Sequence, residues 1–287
     1  MMKQHTIGKD VEVSGVALHT GVRVTLKMLP APEDTGIVFR RVDMPGAPEV
    51  KAHSDYVIDV RRATTIASPS KAYVVTVEHV MAAFHAAGID NAYVEMDNAE
   101  PPICDGSAGP FYRMIQTAGI VEQDKEAVCW TIPYPIYAEN GSTTIVALPP
   151  APGEENLLRI TSTVAFGSSI IGTQYKDLVI TPESFEKELS PCRTFAEYKD
   201  LAMLFQMGLA KGGSLDNAVI IHDGAIISNE GLRFPDELVR HKMMDMVGDL
   251  YLTGVHLYGH IISVKAGHPI HVALAGKLVK VMRENQK

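Results

Sequence analysis

Apolar and polar positions alternate with a period of two from residue 11 to residue 40. VEVSGVAL, VRVTLKML and GIVFRRV each read as a strand, separated by turn residues at His19-Thr20-Gly21 and across Pro30-Ala31-Pro32-Glu33-Asp34. The period then becomes helical. In TVEHVMAAFHAAGI the residues Val77, Val80, Met81, Phe84 and Ala87 share one face, with Thr76 placed to cap the start and Gly88 to close the end. A second helical pattern runs through residues 237–254, ELVRHKMMDMVGDLYLTG. Met243, Met246, Val247, Leu250 and Gly254 form its apolar stripe, while His241, Asp245 and Asp249 form a polar one with members a turn apart.

The strand pattern returns about 120 positions later. Thr20-Gly21-Val22 through Leu29-Pro30-Ala31-Pro32 corresponds to Asn140-Gly141-Ser142 through Pro149-Pro150-Ala151-Pro152, and another apolar strand follows in each copy (GIVF, NLLRI). Both copies lead to a helix with a histidine near its start, His79 in one and His241 in the other. A duplicated sheet-plus-helix unit sets these imidazoles at related positions, and they converge if the halves face each other. The expectation is an α+β protein of two domains of like topology, residues 1–124 and 125–287; a 287-residue chain also exceeds what one ordinary core organises. The second copy is longer. Its excess includes FGSSIIGTQYKDLVITPESFEKEL, read as a strand and a helix with Pro182 in its first turn. Residues 196–207 read as a further helix, and AVIIHDGAIISNEG as a hairpin turning at His222-Asp223-Gly224.

Composition narrows the class. A hydrophobic fraction of 46% is ample for a core, yet no window is apolar for long enough to cross a bilayer, and the start lacks the apolar core of a signal peptide. A cytoplasmic protein that is not an integral membrane protein is expected. The net charge of −8 argues against a nucleic-acid partner. Cys104, Cys129 and Cys192 are too few for a disulfide framework and read as small buried apolar residues.

His241 and Asp245, four apart on one helix, can reach the same ion. An isolated pair of this kind is more often a solvent-facing polar stripe, so a metal centre requires a third ligand from elsewhere. The repeat offers His79. Two imidazoles and a carboxylate leave a coordination position open, as catalytic zinc sites do. Glu78, beside a ligand, is placed to accept a proton from water acidified by the ion, and as a first-turn acid it also complements the helix dipole. Asp249 is a suitable partner for orienting or protonating an imidazole, and His268, after the strand GHIISVKA, is the candidate. The same ligand set describes the facial triad of non-haem iron oxygenases, and a binding module with a structural metal is the other rival. A structural site, however, requires a fourth protein ligand.

Long, ordered motifs then stand out: SGVALHTG at 14–21, TVEHVMAAFHAAGIDN, CDGSAGPF at 104–111, CRTF at 192–195, KGGSLDNA at 211–218, NEGLRFPDELVRHKMMDMVGDL at 229–250 and KAGH at 265–268. Together they resemble the UDP-3-O-acyl-N-acetylglucosamine deacetylases of lipid A biosynthesis, over nearly the whole chain. The resemblance implies two like domains with four helices sandwiched between two sheets. It implies a hydrolase that removes the acetyl group from the 2-acetamido nitrogen of an acylated UDP-sugar, releasing acetate and the free amine. It implies zinc held by His79, His241 and Asp245, ligands that also accept iron(II). Glu78 is then the general base, His268 the general acid supported by Asp249, and Thr194 a hydroxyl donor to the oxyanion. Lys242, Phe195 and His19 belong on the substrate side, His19 near the metal without binding it. The segment around Ile170 to Ile180 is expected to form part of a passage for the acyl chain, and the family's state is a monomer. Five positions in three places depart from the family pattern. Ala17 replaces a glycine, Ala196-Glu197 stand where Gly-Phe is common, and Ser168-Ser169 lack the His-Pro often found before IGTQ. They bear on how nucleotide and acyl chain are held, so the alternative is a paralogue acting on a related acylated sugar nucleotide.

Overall fold

The computed structural model describes residues 2–166 and 171–285. Two large mixed sheets repeat one strand order. Across the first sheet run Val11–Val16, Arg23–Pro30, Ala92–Met96, Ile37–Arg41 and Glu49–Lys51; across the second run Ile136–Asn140, Thr143–Leu148, His256–Val264, Leu158–Ala165 and Thr173–Ile180. In each, two hairpins flank a central strand that comes last in the chain. That strand is antiparallel to its neighbour from the first hairpin and parallel to its neighbour from the second. The short strand Cys129–Thr131 adds to the second sheet beside His256–Val264. The repeat expected from the turn glycines and proline corners is therefore a repeat of topology. Gly21 (φ +71°) and Gly141 (φ +59°) take the left-handed conformation in corresponding turns.

The first half places one helix before its central strand and one after it; the second places three before and one after. We label the helices α1 (Glu78–Ala86), α2 (Gly109–Ala118), α3 (Pro182–Ser184, continued by a π turn, Phe185–Leu189), α4 (Tyr198–Gln206), α5 (Glu237–Tyr251) and α6 (His268–Asn285). α1 packs on α2 and α5, and α5 on α6; α2 lies on the strand Val11–Val16, α5 on Leu158–Ala165 and Thr173–Ile180, and α6 on Ile136–Asn140 and Thr143–Leu148. A single apolar core runs through both halves.

The α1–α5 crossing decides what the site can be. A Cβ on Gly248 would stand 2.0 Å from the carbonyl oxygen of Glu78, so only glycine lets the helices approach this closely. The polar stripe of α5 consequently does not face solvent. His241, Asp245 and Asp249 are as buried as the methionines opposite, and within α5 only Arg240 and Lys242 keep partial exposure.

Several local expectations change. Thr76 does not cap α1. The cap position is Val77, without a side-chain bond, and Thr76 sits at φ +56° with its hydroxyl donating to the buried Glu100 carboxylate (3.0 Å). Gly88 (φ +68°) follows the helix end as expected. Thr181 and Ser184 form a reciprocal capping box around Pro182. Residues 195–197 join a strand, Phe195–Glu197, so the helix expected from residue 196 starts two residues later. The hairpin between Val219–His222 and Ala225–Ile227 turns at Asp223-Gly224, both at positive φ. Of the cysteines, Cys192 is buried and Cys104 partly so, whereas Cys129 is exposed on its short strand. No helix of the described residues is long and apolar enough to cross a membrane.

Each half also carries a small three-stranded sheet between the outer strand of its large sheet and its buried helix. The first comprises Val57–Asp59, Thr65–Ala67 and Tyr73–Val74; the second comprises Phe195–Glu197, Val219–His222 and Ala225–Ile227, with α4 in its first crossover.

Candidate active site

The crossing helices bring His79 and His241 together. Their rings lie 5.3 Å apart edge to face, and each Nε2 approaches one oxygen of Asp245: His79 at 3.6 Å and His241 at 3.4 Å. All three side chains are buried, and one atom from each lies within 4.8 Å of the others. The Asp245 Oδ1 at the centre accepts no hydrogen bond, whereas its Oδ2 accepts from Lys242 Nζ at 2.9 Å. A buried carboxylate oxygen left without a donor, facing two imidazole nitrogens, is what a cation would satisfy. Electrostatics agree. Burial pushes His241 down to about 3, keeping the imidazole neutral, and its Nδ1 donates to the Cys192 carbonyl (3.1 Å), which leaves Nε2 with its lone pair. Burial also disfavours ionised Asp245, but the Lys242 ammonium on its Oδ2 helps to outweigh it, and the carboxyl stays well below the usual range. These residues fit a divalent metal.

Two proton-carrying groups flank the trio. Glu78 comes from the first turn of α1. Burial raises its carboxyl, with partial opposition from His268 and His79, and its Oε2 accepts the Thr64 backbone N–H (3.1 Å). His268 opens α6, with its Nε2 3.8 Å from both Glu78 Oε1 and Asp245 Oδ2. Burial alone would lower His268, but Asp249, Glu78 and Asp245 together lift it to about 9. Its Nδ1 donates to Asp249 Oδ2 (2.8 Å), which also accepts from His271 Nδ1 (2.9 Å). Asp249, His268 and His271 have metal-like spacing too. There, however, the carboxylate oxygens are already engaged, Oδ1 by the Thr64 hydroxyl at 2.6 Å.

A cavity of about 600 Å³ opens over this cluster, and every sequence-expected site residue lines it except Asp249, which stands behind His268. Thr194 arrives on a loop fixed by a buried pair: Arg193 donates through Nε and Nη2 to both oxygens of Glu237 (2.9 and 3.0 Å), the first residue of α5. Its backbone is bonded on both sides, donating to Gly106 and accepting from Val219. Gly106 itself admits no side chain, since a Cβ would meet the Asn217 carbonyl at 1.8 Å. The Phe195 ring lies 5.8 Å from that of His241, with Lys242 Nζ 5.5 Å from its centre. His19 is held by backbone: its N–H and that of Thr20 donate to Glu100 (2.9 Å each).

Beside the cluster lies a second cavity of about 300 Å³, lined mainly by apolar residues of the second small sheet and α4, Leu201, Leu204, Phe205, Leu215 and Ile220 among them. This differs from the passage expected around Ile170 to Ile180. Ile170 and Ser168-Ser169 lie outside the described residues, and Thr173–Ile180 pairs along its length with Leu158–Ala165 as the outer strand of the large sheet, lining neither cavity. These residues complete the repeat as the outer strand of the second sheet. Sequence reasoning also missed Thr64, Glu100 and His271. Each bonds a partner remote in sequence, Thr64 and His271 to Asp249 and Glu100 to the backbone of His19.

The family model for UDP-3-O-acyl N-acetylglycosamine deacetylase (LpxC) matches residues 4–280. Proteins named UDP-3-O-acyl-N-acetylglucosamine deacetylase are similar over nearly all of this chain. The one from Chlamydia abortus is 41% identical over 281 residues, covering 98% of each chain. That from Citrifermentans bemidjiense is 40% identical over 280 residues, covering 98% of this chain and 90% of its own. That from Myxococcus xanthus is 41% identical over 276 residues, covering 96% and 86%. With the repeated fold, the buried His-His-Asp cluster and these likenesses in view, this chain belongs to the UDP-3-O-acyl-N-acetylglucosamine deacetylase family.

Proposed function

We propose that this protein is a zinc-dependent amidohydrolase of lipid A biosynthesis that cleaves the 2-acetamido group of UDP-3-O-acyl-N-acetylglucosamine, yielding acetate and the free amine. The observation that carries this reading is the unsatisfied Asp245 Oδ1 between the imidazoles of His79 and His241, with Glu78 and His268 on its flanks. His79, His241 and Asp245 hold the metal. When bound, zinc supplies Lewis acidity and makes water a nucleophile near neutral pH.

The chain's own groups handle the protons. Glu78, raised by burial, takes one proton from the attacking water through Oε1, since Oε2 is bonded to Thr64. The new C–O bond places negative charge on the carbonyl oxygen, toward which the Thr194 hydroxyl donates. As the C–N bond breaks, His268 delivers its Nε2 proton to the nitrogen, because an amine anion does not leave at neutral pH; Asp249 holds the opposite ring nitrogen. Lys242, Phe195 and His19 hold the substrate, and the apolar cavity beside Phe195 takes the acyl chain. Residues 1–124 supply the base and one ligand, and residues 125–287 supply two ligands and the acid. The proposed setting is that of a cytoplasmic monomer with no nucleic-acid partner.

Ala196 and Glu197 line the catalytic cavity, so their departure from the family pattern falls on its wall. The test is therefore a panel. Acetate release is measured on UDP-3-O-acyl-N-acetylglucosamine of several acyl lengths and on related acylated sugar nucleotides, with protein stripped of metal and restored with zinc or iron(II). Metal-dependent acetate release from the UDP-N-acetylglucosamine series supports the proposal. Turnover confined to another sugar nucleotide would point to a paralogue, and none with either metal would refute it.

A further inference from the structure

Thr64 bonds the general base directly and reaches the general acid through Asp249. It is fully buried and lies immediately before the strand Thr65–Ala67 in the first small sheet. Its backbone N–H donates to Glu78 Oε2 at 3.1 Å. Its hydroxyl donates to Asp249 Oδ1 at 2.6 Å, and the hydroxyl oxygen lies 3.4 Å from His268 Nδ1. Asp249 accepts from two imidazoles through Oδ2 alone. Because the terminal torsion of a carboxylate side chain is broad, bonds to one oxygen leave the group free to swing between the two histidines. A donor on the second oxygen removes that freedom. Among the described residues Thr64 is the only donor to Asp249 Oδ1.

We propose that Thr64 is a positioning residue for the proton-transfer pair: its hydroxyl sets the Asp249 carboxylate and thereby the aim of His268, while its backbone N–H leaves Glu78 Oε1 as the oxygen facing the cavity. The inference rests on the deacetylase reading and adds to it a residue that meets neither substrate nor metal. The two contacts come from one position, so the general base and the support of the general acid, carried on different halves of the molecule, share one fixed point.

The test is steady-state kinetics of acetate release with the metal-loaded full-length protein. Thr64→Val keeps the shape and the backbone bond to Glu78 and removes only the hydroxyl. The expected result is a fall in kcat of roughly 10- to 100-fold with KM unchanged, the usual cost of losing an outer partner of a catalytic group. Thr64→Ser, which keeps the hydroxyl, should recover most of that loss. In an Asp249→Asn background, Thr64→Val should cost little more, because its effect passes through the same carboxylate. An unchanged kcat, a serine variant no better than valine, or a full additional loss in the Asp249→Asn background would each overturn the proposal. If the valine variant does not fold, Thr64→Cys, with its weaker donor, takes its place; lowered kcat supports the proposal and unaltered kcat overturns it. A wild type that releases no acetate ends the deacetylase reading itself, whereas an active wild type indifferent to Thr64→Val ends only this inference.

Discussion

In the first half, the segment between the outer strand Glu49–Lys51 and α1 is a small sheet whose loop carries Arg61, Arg62 and Thr64. In the second half, the segment between Thr173–Ile180 and α5 carries Arg193, Thr194, Phe195 and α4. The two small sheets occupy the same place in the repeat and do different things. The first reaches inward by hydrogen bonds, from Thr64 to Glu78 and Asp249. The second lines apolar space with Leu204, Phe205 and Ile220, and leaves Phe205 itself exposed together with Tyr198, Met203 and Met207. Beneath both, α1 and α5 cross with no room for a Cβ at Gly248. In the proposed mechanism the three ligands and the base sit on this crossing, the acid opens α6 beside it, and the cavity walls come from the segments above.

The comparison fails at once if the helical crossing is not where the chemistry lies. The largest effect expected is from His79→Ala or Asp245→Asn, each abolishing both bound metal and acetate release, as checked by elemental analysis and assay. Glu78→Gln comes next: activity should fall by about 10²–10⁴-fold with metal content retained, which also separates a hydrolase from an iron oxygenase.

A pH–rate profile sharpens the division of labour. Glu78, raised by burial, must be ionised to accept a proton, so activity should fall on the acid side above the ordinary carboxylate range. His268 must be protonated to donate one, so activity should fall again as pH rises through about 9. His268→Ala should erase the alkaline limb; a mutant with unaltered turnover would remove His268 from the mechanism. Gly248→Ala tests the crossing itself and should lower stability by at least about 1–3 kcal/mol, seen as a lower melting temperature.

The smallest effect belongs to the second small sheet. Phe205→Asp in the apolar cavity should raise KM by roughly 10- to 200-fold for a long-acyl substrate while sparing a short-acyl one. Equal effects on both would place the acyl chain elsewhere.

Much of this arrangement is legible in the chain. The repeat shows in its turn glycines and proline corners because hairpin geometry is local, and the His-x-x-x-Asp spacing of α5 shows because one helix sets it. Burial of that polar stripe does not show, since it depends on α1 and α6 arriving from elsewhere. Thr76 reads as a cap but is drawn away by Glu100, 24 positions on. Thr64 meets Asp249 across 185 positions, a pairing no local pattern encodes. The lining of the second cavity by α4 and the second small sheet does not show either, because an alternating edge strand and a cavity wall look alike when pairing partners are unknown.

The most direct test is anomalous diffraction at the zinc edge on crystals of the zinc-loaded protein. One ion is predicted, bound by His79 Nε2, His241 Nε2 and Asp245 Oδ1. Density centred instead on Asp249, His268 and His271, or no ion between the crossing helices, would contradict the account.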